Sequence, residues 1–528
     1  MRNKKINKVA VLGSGIMGSR IACHFANIGV EVLLLDIVPK EGARNSVVDT
    51  ALQTAVKTNP SPIYSKKVLS KISTGNFEDD MAKIAVCDWV IEVVVESLDI
   101  KKKVFEQVEQ HRKPGTLITS NTSGIPIHLM ADGRSDDFKA NFCGTHFFNP
   151  PRYLRLLEII PTKYTDPELV DFLMHYGDKF LGKTTVLCKD TPAFIANRVG
   201  VYSIMALLHL VEKMDLTVEE VDKFTGPALG RPKSATFRTT DVVGLDTMIK
   251  VTKGLYENVP DDKANELFKL PAYVEKMNAN KWLGDKTGQG FYKKTKTAEG
   301  KTEILALDLK TLEYKPQVKV KSATLDLTKP IENVRDRMKV FAAGKDKAAE
   351  LFRASFFGLF EYVSDRIPEI SDELYRIDDA MRAGFGWDLG PFEVWDAVGI
   401  ADSLEGMKKY DHEAAAWVHE MLAAGHVSFY KLEDGLKKYY DIPSKTYKEI
   451  PGTRDFIVLD NLRSSKLIWK NSGASIIDLG DGILNVEFHS KMNTIGGDTL
   501  QAINKAIDMA EKDYRGVVIG NDGANFSA

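Results

Sequence analysis

Cysteine is scarce. The 528 residues hold four, Cys23, Cys87, Cys143 and Cys188, widely spaced in apolar stretches and without a Cys-x-x-Cys pair. Such spacing gives no disulfide framework and no thiolate metal site; buried, reduced thiols and a cytoplasmic location are expected. Charge of one sign is missing as well: 71 Lys and Arg stand against 73 Asp and Glu, which leaves no electrostatic case for nucleic acid or an anionic membrane. Long hydrophobic runs are also lacking. The basic start Arg2-Asn3-Lys4-Lys5 passes within a few residues into Val9-Ala10-Val11-Leu12-Gly13, too short for a signal sequence or a spanning helix, so neither export nor membrane insertion is expected. His24, His111 and His128 lie apart, without metal-ligand spacing, and no metal is expected. What is present, 44% apolar and 27% charged residues, is the balance of soluble globular proteins. Single cores stop growing near ~250–300 residues, so several domains and a small-molecule ligand are expected.

Residues 8–36 read as strand, tight turn, helix and strand, with the turn spelled Gly13-Ser14-Gly15-Ile16-Met17-Gly18 and the second strand closing on Asp36. This is the βαβ dinucleotide fingerprint. Gly13 permits the turn, Gly15 lets the backbone approach a pyrophosphate, and Gly18 allows close helix packing, while Ile16 and Met17 open a helix whose N–H groups face the phosphates. Asp36 stands 23 positions after Gly13, where a carboxylate accepts from ribose hydroxyls and repels a 2′-phosphate, so NAD is favoured over NADP. Strand patterns at 89–95 and 116–120 around a helix at 99–111 continue the alternation and predict an α/β Rossmann-type doubly wound domain.

Ligands of such sheets lie beyond the carboxyl ends of the strands. Val95-Glu96-Ser97, Ser120-Asn121-Thr122-Ser123-Gly124 and Gly144-Thr145-His146-Phe147-Phe148-Asn149-Pro150 fall there, and the last leads on to Leu156-Leu157-Glu158-Ile159-Ile160. Oxidation of an alcohol needs a base for the hydroxyl proton, which suits histidine near neutral pH. His146 is the candidate base, and Glu158, in an otherwise apolar strand, is the candidate partner for its far ring nitrogen. The local pattern equally fits a core histidine bonded to backbone with Glu158 facing solvent.

Ser120-Asn121-Thr122-Ser123, His146-Phe147-Phe148-Asn149-Pro150, Glu158 12 positions after His146, and Lys189-Asp190-Thr191-Pro192-Ala193-Phe194-Ile195-Ala196-Asn197-Arg198 are long, ordered motifs. With them the chain resembles the 3-hydroxyacyl-CoA dehydrogenase family, and over essentially its full length the dehydrogenase-first bifunctional type of bacterial fatty-acid β-oxidation. The resemblance implies His146 as base, Glu158 as its partner, Ser123 and Asn197 as hydrogen-bonding groups for the substrate's oxygen atoms, and Asn149 nearby. It brings Glu96, Lys101 and Asn121 to the cofactor, although the local pattern of Glu96 and Lys101 also fits a solvated helix start. NAD-dependent oxidation of (3S)-3-hydroxyacyl-CoA to 3-oxoacyl-CoA follows, with an acyl-CoA thioester as substrate and a second copy of the chain or a thiolase as partner. A bifunctional hydratase and dehydrogenase, or a non-catalytic NAD-binding scaffold, are the alternatives.

After residue 190 helical patterns at 193–213, 217–224 and 240–257 predict an all-α domain, identified through the resemblance with the family's C-terminal domain. Ile377-Asp378-Asp379-Ala380 repeats Val221-Asp222-Lys223, and Asp396-Ala397-Val398-Gly399-Ile400 repeats Asp241-Val242-Val243-Gly244-Leu245, so this domain is expected to be duplicated. The second copy keeps the family's Gly390-Pro391-Phe392 where the first has Arg231-Pro232-Lys233-Ser234-Ala235-Thr236-Phe237. Lacking its own nucleotide fold, it reads as structural. From Gly473 onward the pattern resembles the opening of a crotonase-like (enoyl-CoA hydratase) domain, with residues 521–528 approaching the loop that begins an oxyanion hole. The two carboxylates of hydratase chemistry have no counterpart, so hydration is not expected. A shortened form of the longer proteins, with a tail that buries little area, is expected. The expected order is therefore 1–189 NAD-binding domain, 190–293 helical domain, 294–335 linker with a short hairpin, 336–425 second, degenerate helical domain, 426–470 connector and 471–528 partial crotonase-like segment.

Overall fold

Lys8–Leu12 is apolar on both faces, the pattern of a strand covered by helices on each side of a parallel sheet. In the computed structural model, which describes residues 4–297 and 299–523, it is a central strand of an eight-stranded sheet of order β3-β2-β1-β4-β5-β6-β7-β8. The strands are β1 Lys8–Leu12, β2 Glu31–Asp36, β3 Ile72–Asn76, β4 Trp89–Glu92, β5 Leu117–Ser120, β6 Phe142–Phe147, β7 Leu156–Pro161 and β8 Thr184–Leu187. Strands β1 to β6 are parallel, β7 returns antiparallel to β6, and β8 runs parallel to β7. Helices α1 Ile16–Asn27, α2 Leu98–His111 and α3 Pro167–Lys179 belong to the same domain. Trp89 is fully buried between Phe25 and Tyr176, with ring centroids 5.3 and 6.1 Å away in edge-on geometry; each such pair contributes ~0.5–1.5 kcal/mol beyond its area. All four cysteines are buried. Arg2 and Asn3 of the basic start lie outside the described residues.

The strand expected over 89–95 ends at Glu92. Its carboxylate turns back to accept the Val94 N–H at 2.7 Å, and this takes the following residues out of the ladder. Helix α4 begins at Ala196 rather than 193 and runs to Lys213, because Ala193 and Phe194 hold positive φ angles of 63° and 52°. After α5 Val218–Thr225, the single helix expected over 240–257 is two, α6 Phe237–Val243 and α7 Leu245–Asn258, broken at Gly244 with φ 102°. The expected linker is ordered as an antiparallel sheet of β9 Tyr292–Lys296, β10 Thr302–Leu307 and β11 Tyr314–Pro316.

Among the helices that follow are α8 Lys347–Asp365, α9 Leu374–Phe385, α10 Pro391–Val398 and α11 Ile400–Met407. Their local geometry copies that of α4 to α7. Asp222 accepts the N–H groups of Thr236, Phe237 and Arg238 at the start of α6, and Asp378 accepts those of Phe392 and Glu393 at the start of α10. Gly244 and Gly399, each between two helices, share φ/ψ of 102°/123° and 93°/123°. Residues 1–427 form one compact unit and 428–528 another.

In the second unit the stretch expected as a plain connector contains β12 Tyr430–Glu433, β13 Leu436–Asp441 and β14 Thr446–Glu449, paired in that order. A second sheet, β15 Leu467–Lys470, β16 Ala474–Gly480, β17 Ile483–Phe488 and β18 Gly516–Ile519, carries helix α12 Gly497–Asp513 as a crossover between the parallel β17 and β18. This segment builds more core than expected: Ala474, Ile476, Leu484, Val486, Ala502 and Ala506 are buried together. Of the 521–528 stretch, residues 524–528 lie outside the described residues.

Candidate active site

Antiparallel pairing of β6 and β7 sets His146 directly opposite Glu158, so both side chains share one face of the sheet. The His146 Nδ1–H donates to Glu158 Oε2 at 2.7 Å, and Glu158 Oε1 accepts the N–H groups of Ile195 at 3.2 Å and Ala196 at 2.8 Å. Glu158 is wholly buried and thus satisfied by three donors. Burial and the adjacent Glu158 carboxylate hold the Cys188 thiol well above its usual range, so it stays protonated, and it donates to the Val186 carbonyl at 3.6 Å. The rings of Phe148 and Phe194 flank His146 at 4.6 and 5.7 Å. With Nδ1 committed as donor, Nε2 remains as the ring's acceptor, and no residue among those described bonds to it.

Ser123 follows β5 in a loop gathered around Glu96, whose Oε1 accepts from Thr122 Oγ1 at 2.6 Å, Ser123 N at 3.0 Å and Gly124 N at 3.2 Å. The Ser123 hydroxyl reaches the same oxygen only at 3.4 Å. Asn197, on the first turn of α4 and half-buried, has no side-chain hydrogen bond among the described residues. Asn149 Oδ1 accepts from Arg20 Nη1 at 2.9 Å, and Asn121 Oδ1 accepts the Phe147 N–H at 2.9 Å, which ties the β5 loop to the residue after His146.

The turn of the nucleotide fold is as tight as its glycines imply. Gly13 has φ 105°, and a Cβ on it would fall 2.6 Å from the Val93 carbonyl; one on Gly18 would overlap the Gly13 carbonyl. Space around Gly15 is open, and α1 starts with neither a side-chain cap nor an acidic residue in its first turn, leaving its N–H groups to a phosphate. These features fit a dinucleotide. Asp36 Oδ2 accepts from Ser14 N at 2.6 Å and Ser14 Oγ at 2.5 Å.

Lys101 is not the solvated residue of a helix start: at 1% exposure its ammonium bonds Glu92 at 2.8 and 3.0 Å and pairs with Glu96 at 3.3 Å. Burial holds the Glu92 carboxyl above the ordinary range despite Lys101 and Ser120. At Glu96 the burial effect is outweighed by Lys101, Thr122 and Ser123, and the carboxyl lies below its ordinary value. Glu92, Phe148, Phe194 and the Ile195 and Ala196 amides went unread in the sequence; only Glu92, an acid inside Trp89-Val90-Ile91-Glu92-Val93, carried a local signal. A cleft of about 1140 Å³ lies at the opposite, amino end of the sheet, lined by residues such as Lys8, Glu31, Lys71 and Phe180, and holds none of the groups above.

A parallel sheet with a glycine turn at β1 and a buried His–Glu pair at its carboxyl edge defines a dinucleotide-dependent α/β oxidoreductase. Residues 8–191 match the 3-hydroxyacyl-CoA dehydrogenase NAD binding domain and 194–294 the 3-hydroxyacyl-CoA dehydrogenase C-terminal domain. A probable 3-hydroxyacyl-CoA dehydrogenase of Bacillus subtilis is 47% identical over 540 residues, covering 99% of this chain and 67% of the relative. A putative fatty acid oxidation complex trifunctional enzyme of Rickettsia felis is 31% identical, covering 100% and 69%. The solved 3-hydroxybutyryl-CoA dehydrogenase from Escherichia coli K12 superposes with a TM-score of 0.56 at 22% identity, over 80% of this chain and 100% of that one, which shows a shared fold. The chain belongs to the 3-hydroxyacyl-CoA dehydrogenase family, NAD-dependent oxidoreductases acting on a CH–OH group. Among the described residues no helix is long and apolar enough to cross a membrane.

Proposed function

We propose that this chain oxidises (3S)-3-hydroxyacyl-CoA thioesters to 3-oxoacyl-CoA with NAD, as a step of fatty-acid β-oxidation. The observation that carries this reading is the His146–Glu158 pair, in which Glu158 is held by two backbone amides and His146 keeps Nε2 as its acceptor. His146 Nε2 takes the proton of the 3-hydroxyl, and Glu158 stabilises the imidazolium that results. Ser123 and Asn197 bond the substrate's oxygen atoms, with Asn149 beside them. Gly13, Gly15, Ile16, Met17, Gly18, Asp36 and Asn121 hold the cofactor, with Glu96 fixing the Ser123 loop and Lys101 fixing Glu96. NAD, when bound, supplies the acceptor for the hydride leaving C3.

The finer organisation belongs to the same proposal: an NAD-binding domain over 1–189, a helical domain over 190–293, its degenerate copy over 336–425, and a crotonase-like opening over 471–528. The parallel β17-α12-β18 unit supports the last. A cytoplasmic location, and a second copy of the chain or a thiolase as partner, complete the reading. Steady-state NADH oxidation with 3-oxoacyl-CoA substrates of four to sixteen carbons tests it. Turnover is expected, and His146→Gln lowers it ~10²–10⁴-fold while NADH still binds. Absence of turnover at every chain length, or near-parental turnover by His146→Gln, contradicts it.

A further inference from the structure

The second helical segment, α8 to α11, supplies none of the groups given a chemical role above, yet it contacts the residues flanking the His146–Glu158 pair in two places. One contact is ionic. Arg198, wholly buried on the first turn of α4, donates from Nε to the Tyr362 hydroxyl at 2.6 Å and from Nη2 to Asp262 at 2.7 Å and Glu369 at 3.0 Å. Arg366 pairs with the same two carboxylates at 2.8 and 2.9 Å, so two guanidiniums and two carboxylates balance. Tyr362, on α8, also stacks on Tyr202 of α4 at 3.9 Å. Three successive residues therefore face three ways: the Ala196 N–H holds Glu158, Asn197 is open to a ligand, and Arg198 anchors their helical turn to the second segment.

The other contact is steric. Helix α9 packs on β7 and β8, and a Cβ on its Gly384 would lie 2.7 Å from Leu156 Cδ2 and 3.5 Å from both Ala196 Cβ and Phe148 Cε1. Phe148 is the ring 4.6 Å from His146. Only a residue without a side chain lets α9 approach the wall of the site this closely.

We propose that the second helical segment is a positioning element of the active site, and that Arg198, Tyr362 and Gly384 are positioning residues holding Glu158, Asn197 and His146 in register. This rests on the His146–Glu158 reading. A new Cβ at 2.7 Å from Leu156 forces a shift that is a large fraction of an ångström, and misplacement by ~1 Å costs up to ~10²-fold in rate. In Gly384→Ala, kcat falls ~10–100-fold with NADH affinity retained. Leu156→Val removes the methyl that the new Cβ meets, so the double variant recovers most of kcat. Tyr362→Phe keeps the ring stack but frees Arg198 Nε; it lowers kcat and moves the acid limb of the kcat/KM pH profile to lower pH, because a loosened Glu158 stabilises the imidazolium less.

Circular dichroism and melting temperature establish that each variant is folded. Should Gly384→Ala fail to fold, Tyr362→Phe and the double variant carry the test. Parental kcat and an unmoved pH profile in folded Gly384→Ala and Tyr362→Phe, alongside an inactive His146→Gln, overturn the positioning role and leave the base in place. An active His146→Gln removes the base itself, so the two failures are distinct.

Discussion

Replacing Glu158 by glutamine disturbs the catalytic pair least, since shape is kept while one accepting oxygen becomes a donor. Glu158 Oε1 takes two backbone N–H groups, from Ile195 and Ala196, so the glutamine carbonyl must face them; its NH2 there would set donor against donor. The NH2 is then turned towards His146 Nδ1, which now has to accept. The ring proton is displaced to Nε2, the atom that should receive the substrate's proton. The variant thus locks the imidazole in the unproductive tautomer. In the serine-protease triad the corresponding error costs ~10⁴ in kcat, and ~10³–10⁴ is expected here, ~4–5.5 kcal/mol of barrier. Melting temperature changes little, because the lost charge-assisted hydrogen bond is offset by no longer burying a charge. Stopped-flow NADH oxidation with acetoacetyl-CoA reads the rate, fluorescence titration reads NADH affinity, and 15N resonances of His146 read the tautomer. A folded Glu158→Gln turning over within ~10-fold of the parent would refute this tautomer argument, since general-base participation alone is worth ~10²–10⁴.

Lys101→Met leaves Glu92 and Glu96 without their buried cation and should cost ~3–5 kcal/mol of stability; denaturant melts measure it, and adding Glu92→Gln should recover part of the loss. Asp36→Ala removes the acceptor at the end of β2, so NADH binding should weaken ~10–100-fold, the equivalent of one hydrogen bond to a charged group, and discrimination against NADPH should shrink; equal titration curves for parent and variant would exclude Asp36 from the cofactor site. His24 is pushed down to about 4 by burial and by the nearby Lys183 cation, although its bond to the Leu181 carbonyl opposes this. With the folded value below the unfolded one, its contribution is complete above about pH 6.5 and is lost as pH falls towards 4, by about 3 kcal/mol. His24→Phe should flatten the fall of melting temperature across that window, and an unchanged slope would show that other groups govern acid sensitivity.

The sheet was legible because its strands are apolar runs of the length that parallel sheets demand, and the glycine turn is a local pattern. The His146–Glu158 pair was legible through its ordered motifs and not through local pattern, which fits a core histidine with Glu158 facing solvent equally well; the antiparallel register of β6 and β7 is what sets the two opposite one another. Helix ends were less so. Nothing local in Ala193 and Phe194 announces positive φ angles, and these come from fitting the Ile195 and Ala196 amides onto Glu158. At 292–316 a short hairpin was expected where three strands pair, and the sheet at 430–449 was missed, because Tyr292-Lys293-Lys294-Thr295-Lys296 and Leu436-Lys437-Lys438-Tyr439-Tyr440 are polar or mixed rather than alternating.

Glu96 and Asp36 share one physical ambiguity. An acid at the end of a strand looks the same in sequence whether it accepts from a ligand hydroxyl or from a backbone amide. In this structure the amide use recurs in the segments that carry the chemistry: Asp36 takes Ser14 N, Glu96 takes Ser123 N and Gly124 N, Glu158 takes Ile195 N and Ala196 N, and Asp190 takes Ile127 N and His128 N. Each loop is held by a carboxylate rooted in a neighbouring element, and each such bond is charge-assisted. Preorganisation follows, because donors and acceptors aimed at a substrate cost no reorganisation once their loops are already fixed. Asp36 holds the glycine turn through Ser14 and, in the proposed cofactor site, also accepts from the ribose. Cofactor binding there has to compete with a hydroxyl donor 2.5 Å away. Ser14→Ala therefore removes one of the two donors on Asp36 Oδ2, leaving the backbone N–H, and should strengthen NADH binding, whereas a loss of affinity would mean that the Ser14 hydroxyl holds the turn in its binding conformation.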